Sequence, residues 1–134
     1  MEWENGDYKI STDKSLISVD KVCALLSNSY WAANRSKEKN ELAIKNSVCY
    51  GVYYKQEQIG FARVVTDYCT VYWLCDVIIE ESFRGKGLGK KLIECITASD
   101  EFKDKLGILG TRDAHGLYEK YGFQKYPERF MSSR

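Results

Sequence analysis

Apolar residues recur along this chain with two different periods, and each predicts its own kind of element. Val19, Val22, Cys23, Leu25 and Leu26 are spaced as one face of a helix, with Ser18 placed to cap its start. The charged segment from Ser36 to Ile44, apolar only near its end, predicts a second short helix partly exposed to water. From Ser47 to Ile79 the residues become β-branched and aromatic, broken by the polar KQEQ at Lys55 to Gln58 and again around Asp67 to Thr70. That pattern predicts three antiparallel strands joined by hairpins. The third run is apolar on both alternating faces, with Val71, Trp73, Cys75, Val77 and Ile79 on one and Tyr72, Leu74 and Ile78 on the other. A central strand covered on both sides has this signature.

Beyond Ile79 the period returns to that of a helix. Leu88, Leu92, Cys95 and Ile96 share one face, while Lys90, Lys91, Glu94 and Thr97 face water. Leu106 to Leu109, bounded by Gly107 and Gly110, predicts a buried strand parallel to the one before the loop. Asp113 to Tyr121 predicts a last helix, stopped by Gly122, after which Phe123 begins a final strand. Tyr8 to Ser11 predicts a short first strand. Together these give a single α/β domain over residues 1–134, with a mixed, mostly antiparallel sheet flanked by helices.

Composition narrows the functional classes. A length of 134 residues with 44% apolar and 13% aromatic content fits one core. Twenty basic against nineteen acidic side chains leave a net charge of +1, so no global field points to nucleic acid or an anionic membrane. The five cysteines, Cys23, Cys49, Cys69, Cys75 and Cys95, form no CxxC pair and sit mostly in apolar runs, as buried reduced thiols do. The start MEWENGDYK has neither a basic nor an apolar stretch, and no run approaches the ~18 apolar residues of a bilayer span. A cytoplasmic protein without membrane or nucleic-acid partners is expected.

The densest chemical signal is FRGKGLGKKL, Phe83 to Leu92, between the third strand and the following helix. Gly85, Gly87 and Gly89 alternate there among Arg84, Lys86, Lys90 and Lys91. Bare backbone N–H groups at a helix N-terminus can close around an anion, so a phosphate-bearing cofactor is implied. A P-loop needs four residues between its first glycine and GK[ST], whereas Gly89 precedes Lys90 and Lys91 with no hydroxyl. A dinucleotide fingerprint needs GxGxxG early in a repeated βαβ pattern, and these glycines are evenly spaced after antiparallel strands.

What remains is RxxGxG, Arg84 to Gly89, followed at a distance by LYEKYGF, Leu117 to Phe123. Both motifs in this order resemble the GNAT superfamily of acetyl-CoA-dependent N-acetyltransferases. The likeness extends to WAANRS (Trp31 to Ser36), NSVCYGVY (Asn46 to Tyr53) and TRDAHGLYEKYGF (Thr111 to Phe123), as in small bacterial members. It implies a sheet of six to seven strands flanked by about four helices. It also implies that the pyrophosphate of CoA meets backbone N–H groups between Arg84 and Lys90, along Gly85, Lys86, Gly87, Leu88 and Gly89. Pantetheine would pair with Ile78 and Ile79 where the strand splays from Leu106 to Leu109, placing the thioester beside Asp76 and Tyr118. Tyr118 matches the tyrosine that acts as general acid in this superfamily, with Tyr121 three residues on as a rival or packing partner, and Phe123 belongs to the core.

Asp76 is the one carboxylate within Val71 to Ile79, and burial there raises its pKa unless a donor or cation holds it ionised. It is a candidate base, or else satisfies backbone at a distortion of the sheet. Glu80 and Glu81 could relay a proton or simply be solvated. Tyr30 and Trp31, between the early helices, occupy the region that forms one wall of the acceptor pocket in this superfamily, or merely cover the sheet. His115, the single histidine, lacks partners at ligand spacing, so no metal is expected. Two positions depart from the family pattern: Glu81 stands where many members have Pro, and Thr111 where many have Asn, an amide that often holds cofactor or water. The resulting expectation is direct acetyl transfer from acetyl-CoA to a small-molecule or peptide amine, with a covalent route through Cys75 or Cys95 less favoured. A CoA-binding module without catalysis is the alternative, and an exposed edge strand near the C-terminus could pair with a second copy.

Overall fold

Side-chain alternation along the strands sorts the apolar residues into two layers, and the chain folds around the sheet that separates them. The computed structural model describes all residues from Met1 to Arg134. The strands are β1 (Glu2–Asn5), β2 (Tyr8–Ser11), β3 (Val48–Tyr54), β4 (Glu57–Thr66), β5 (Val71–Ile79) and β6 (Leu106–Ile108), lying side by side in chain order. All neighbours are antiparallel except β5 and β6. The helices are α1 (Val19–Leu26), α2 (Lys37–Lys45), α3 (Leu88–Thr97) and α4 (His115–Glu119).

Leu88, Leu92, Ile93 and Ile96 of α3 join Tyr118 of α4, Phe102 and the sheet residues Tyr50, Val52, Ala62, Val64, Tyr72, Leu74 and Ile79 in one cluster. Val22, Leu25 and Leu26 of α1 join Ile44 of α2, Ala32, Cys49, Phe61 and Ile78 in the other, on the opposite face. Fully burying an aliphatic side chain contributes about 1.5–3 kcal/mol, so α3 is held chiefly by this stripe. Both early helices begin at serine caps, the first as its sequence predicts: Ser18 Oγ accepts from the Lys21 N–H, and Ser36 Oγ from the Lys39 N–H. The β3–β4 turn is tighter than the polar KQEQ suggests, with Lys55 and Gln56 at φ +48° and +73°, the left-handed pair of a two-residue hairpin. Gln58 is instead buried, accepting from the Ser18 N–H and donating to the Gly60 carbonyl.

The structure departs from the sequence reading at five places. Glu2–Asn5 forms an extra strand whose single apolar residue, Trp3, leaves no alternation to detect. Ile78 does not share a face with Tyr72 and Leu74, because the pairing slips between Phe61/Ile78 and Arg63/Cys75 and Asp76 takes φ +54°. One extra residue on β5 makes a bulge and reverses the alternation. Strand β6 is an edge, with Leu106 two-thirds exposed rather than buried. Finally, no strand follows Phe123: the QKYPER stretch offers no alternating apolar face, and Pro127 supplies no N–H to a ladder. Helix α4 is shorter than expected, although Gly122 does end its final turn at φ +91° while the Phe123 N–H reaches back to the Tyr118 carbonyl.

Candidate active site

The parallel ladder between β5 and β6 stops early. Val71, Tyr72 and Trp73 pair with Leu106, Gly107 and Ile108, and β5 then continues to Ile79 without a neighbour on that side. A cleft of about 700 Å³ opens along this free edge, within the range of ordinary ligand sites. Its lining brings together most residues singled out in the sequence: Ile78, Ile79, Arg84, Gly85, Gly87, Leu88, Gly89, Lys90, Tyr118, Tyr30 and Trp31. Lys86 and Asp76 are not on its wall.

At one end lies the glycine loop. Gly85 and Gly87 both adopt φ +79°, a conformation that side-chain-bearing residues rarely hold, and the space where a side chain would begin is open at each. Gly89 lies inside α3, where an added Cβ would stand 3.9 Å from Ile79 Cγ1. Gly87 occupies the cap position of α3 but offers no side chain to it. No backbone N–H from Gly85 to Lys90 donates a hydrogen bond within the chain, the next donor being Lys91 to the Gly87 carbonyl. An unpartnered row of donors at the positive end of a helix dipole attracts anions. Arg84 is fixed beside it, its Nε donating to the Ile79 carbonyl at 2.9 Å. That carbonyl is therefore already engaged by the protein's own side chain.

Tyr118 stands farther along the same cleft. Burial, with smaller effects of Tyr30 and Asp113, pushes its hydroxyl up to about 12, so it carries its proton at neutral pH. The hydroxyl has no partner in the chain, yet it is not sealed away, since Tyr53 Oη is the enclosed side-chain polar atom left unpaired. A protonated donor aimed at a cleft can serve as a general acid. Tyr121 and Phe123 pack against the core, and Phe123 meets the Tyr118 ring edge-on at 6.0 Å. His115 begins α4 and is not on the cleft wall.

The roof of the cleft comes from the segment between α1 and α2. The Arg112 N–H donates to Tyr30 Oη at 2.8 Å, and the Arg112 guanidinium lies 3.9 Å from the centre of the Tyr30 ring. Tyr30 in turn meets Trp31 edge to face at 5.0 Å. These contacts tie the roof to the loop before α4. In that loop Thr111 Oγ1 accepts from the Ala114 N–H at 3.1 Å, so the hydroxyl that replaces the more usual amide is used within the loop.

Asp76, the candidate base, is tied into an ion cluster. Its side chain is 3% exposed and accepts from Arg35 Nη1 and Arg63 Nε, each at 2.8 Å from Oδ2, and from Trp31 Nε1 at 2.9 Å from Oδ1. Burial by itself raises its pKa, but hydrogen bonds and charge from Arg35 and Arg63 outweigh that and hold it below the usual carboxylate range. A carboxylate so stabilised, behind the wall of the cleft, is a poor proton acceptor. Arg63 Nη1 also donates to Ser47 Oγ, and Arg35 Nη1 lies 3.5 Å from Asn40 Oδ1. Neither arginine stands out as a site residue in the sequence, although a lone cation in the apolar run from Ile59 to Val65 is the natural partner of a lone acid in β5. Glu80 pairs with Lys21 at 3.3 Å, and Glu81 is exposed in a short turn. No group of three or more His, Cys, Asp or Glu side chains converges where a metal could sit. All five cysteines are free thiols, and burial raises the pKa of Cys75 and Cys95.

Known proteins share this fold. The sequence profile of the acetyltransferase (GNAT) domain matches residues 45–125. A solved structure from Xanthomonas campestris pv. campestris, of a protein belonging to the GNAT family, superposes with a TM-score of 0.89 at 34% identity, covering 95% of this chain and 92% of that one. A Gibberella zeae protein that carries an acetyltransferase name is 28% identical, over 94% of this chain and 84% of its own. A GNAT family acetyltransferase from Elizabethkingia anophelis, solved with acetyl-CoA bound, shares the fold at a TM-score of 0.68 and 20% identity, covering 90% of this chain and 78% of that one. The chain belongs to the GNAT acetyltransferase family and is an acyltransferase.

Proposed function

We propose that this acyltransferase moves an acetyl group from acetyl-CoA directly to a primary amine, small or peptidic, with both substrates bound together. The observation that carries the reading is the unpartnered N–H row from Gly85 to Lys90 at the end of a cleft that also holds the Tyr118 hydroxyl. The row, with Arg84 and Lys90 beside it, fits the pyrophosphate of CoA; the edge of β5 at Ile78 and Ile79, apart from the Ile79 carbonyl held by Arg84, fits an extended pantetheine arm. Acetyl-CoA supplies the activated acetyl group. Tyr118, protonated at neutral pH, delivers its proton to the departing thiolate. Tyr30 and Trp31 cover the reacting end and exclude water. With Asp76 committed to its arginines, the acceptor enters as neutral amine and needs no strong base in the protein. Free thiols and the lack of any helix long and apolar enough to cross a membrane support a place in the cytoplasm.

Thermal unfolding with and without acetyl-CoA tests the first step. At ~100 times Kd the cosubstrate stabilises the fold by about 2.7 kcal/mol, and an unmoved transition contradicts the reading. Thiol release from acetyl-CoA across a panel of amines tests the second. Binding without any turnover would mark the chain as a CoA-binding module.

A further inference from the structure

The cluster around Asp76 costs the protein an ordinary strand. It requires a bulge with a non-glycine residue at φ +54°, and it gathers two guanidiniums on one carboxylate in the layer beneath α1 and α2. Two arginines already compensate the acid, yet a third donor is added, and that donor is Trp31, whose indole faces the cleft. The indole needs this acceptor because Nε1–H has no other partner. A rotation about the side-chain bonds of Trp31 that broke the bond would also separate it from Tyr30, whose ring it meets edge to face. The neighbouring residue of the same strap, Tyr30, is held by Arg112, through the backbone bond to its Oη and the guanidinium over its ring. The roof is thus fastened at two points, to the sheet by Asp76 and to the loop before α4 by Arg112.

We propose that Asp76 is a positioning residue: through the hydrogen bond to Trp31 Nε1 it locks the indole as the fixed wall of the reacting end of the cleft, so that Arg35, Arg63 and the β5 bulge serve acceptor placement without touching either substrate. This rests on the assignment of the cleft to acetyl-CoA. The extra residue in β5 has a use in this account, since it turns Asp76 from the α3 face towards Arg63, Arg35 and Trp31. The pair Trp31 and Asp76 forms a unit, so either partner changed alone should free the indole in the same way.

The test labels tryptophan indole nitrogens and follows Trp31 Nε1–H by NMR, with Trp3 and Trp73 replaced by Phe to leave a single signal. S-acetonyl-CoA, a ketone analogue that cannot transfer its acyl group, serves as the probe. In the otherwise unchanged protein the Trp31 Nε1–H exchanges slowly with solvent, and the probe's methyl group shows a nuclear Overhauser contact to the indole ring. In Asp76→Leu, which removes the acceptor, exchange accelerates at least about tenfold and the contact weakens or vanishes, while the Kd for S-acetonyl-CoA changes less than about threefold, because the glycine loop is intact. Unchanged exchange and an unchanged contact in Asp76→Leu overturn the proposal. Should Asp76→Leu not fold, Trp31→Phe decides: it keeps both arginine pairs, and transfer to tyramine, spermidine or L-lysine must show a raised KM for the amine with the KM for acetyl-CoA held. An unaltered amine KM in Trp31→Phe overturns the proposal equally. Failure of S-acetonyl-CoA to bind the unchanged protein instead sinks the assignment of the cleft, and the exchange rate of Trp31 Nε1–H still reports whether Asp76 holds it.

Discussion

The two ends of the cleft solve opposite electrostatic problems. At the glycine loop, donors are left without acceptors: the N–H groups from Gly85 to Lys90 are idle, and the adjoining side chains Arg84 and Lys90 add positive charge. Around Asp76, one carboxylate accepts three hydrogen bonds from two arginines and a tryptophan, leaving little for a substrate to use. Unsatisfied polar groups beside solvent are cheap to keep and gain free energy when an anion arrives; unsatisfied groups in the core are costly, so they are paired within the fold. A binding end and a scaffolding end can thus be told apart by how completely their polar groups are spent. Charge alone does not distinguish them, since both are rich in cations.

Removing the acid at the saturated end should have the largest effect. Asp76→Ala leaves Arg35 and Arg63 facing each other without a counter-ion, and denaturant unfolding should show a loss of about 3–5 kcal/mol. A loss below about 1 kcal/mol would mean the cluster is solvated and the contrast false. The same group gives a pH signature. Because its folded pKa lies below the unfolded value of a carboxylate, its contribution is complete at neutral pH and is lost as pH falls below about 4 and through the folded pKa. Stability measured between pH 6 and 3 should therefore fall less steeply in Asp76→Asn than in the unchanged protein.

Next in size is the effect of the donor between the two ends. Tyr118→Phe keeps the ring in the core and deletes the hydroxyl, so kcat should fall about 100-fold with acetyl-CoA affinity nearly unchanged. An equal fall in affinity would make the residue a binding group instead. At the idle end, Gly87→Val forces a β-branched residue into φ +79°. A cost of about 1–2 kcal/mol there, if the loop instead relaxes away from its cradle shape, corresponds to roughly tenfold weaker acetyl-CoA binding by calorimetry. The smallest effect belongs to Thr111→Ala, which removes the hydroxyl that accepts from the Ala114 N–H. About 0.5–1 kcal/mol of stability should be lost, read as a drop of a few degrees in Tm.

The idle end was the more legible in the sequence, for the same physical reason that makes it a site. Glycines that must take φ > 0 and leave N–H groups bare have few substitutes, so FRGKGLGKKL declares its conformation locally. The first and third helices were legible because apolar residues repeat at helical spacing, with Ser18 capping the first. The saturated end depends on contacts between residues far apart: Trp31 and Arg35 meet Asp76 across more than forty positions, and Arg63 meets it from the next strand. The bulge that makes the meeting possible is hard to place because β5 is apolar on both faces, so the reversal of alternation is marked only by Asp76, the lone acid in the run. The missing final strand had a local cue in Pro127, but the exposed edge of β6, only three residues long, could be seen only in the fold.

The account stands most directly on one titration, of the backbone amides with CoA followed by 15N NMR. It predicts that the largest shifts fall on Gly85 to Lys90, with Ile78 and Ile79 next, and that the Arg63 and Asp76 amides move little. Saturable CoA binding that leaves the Gly85 to Lys90 amides unmoved would contradict it.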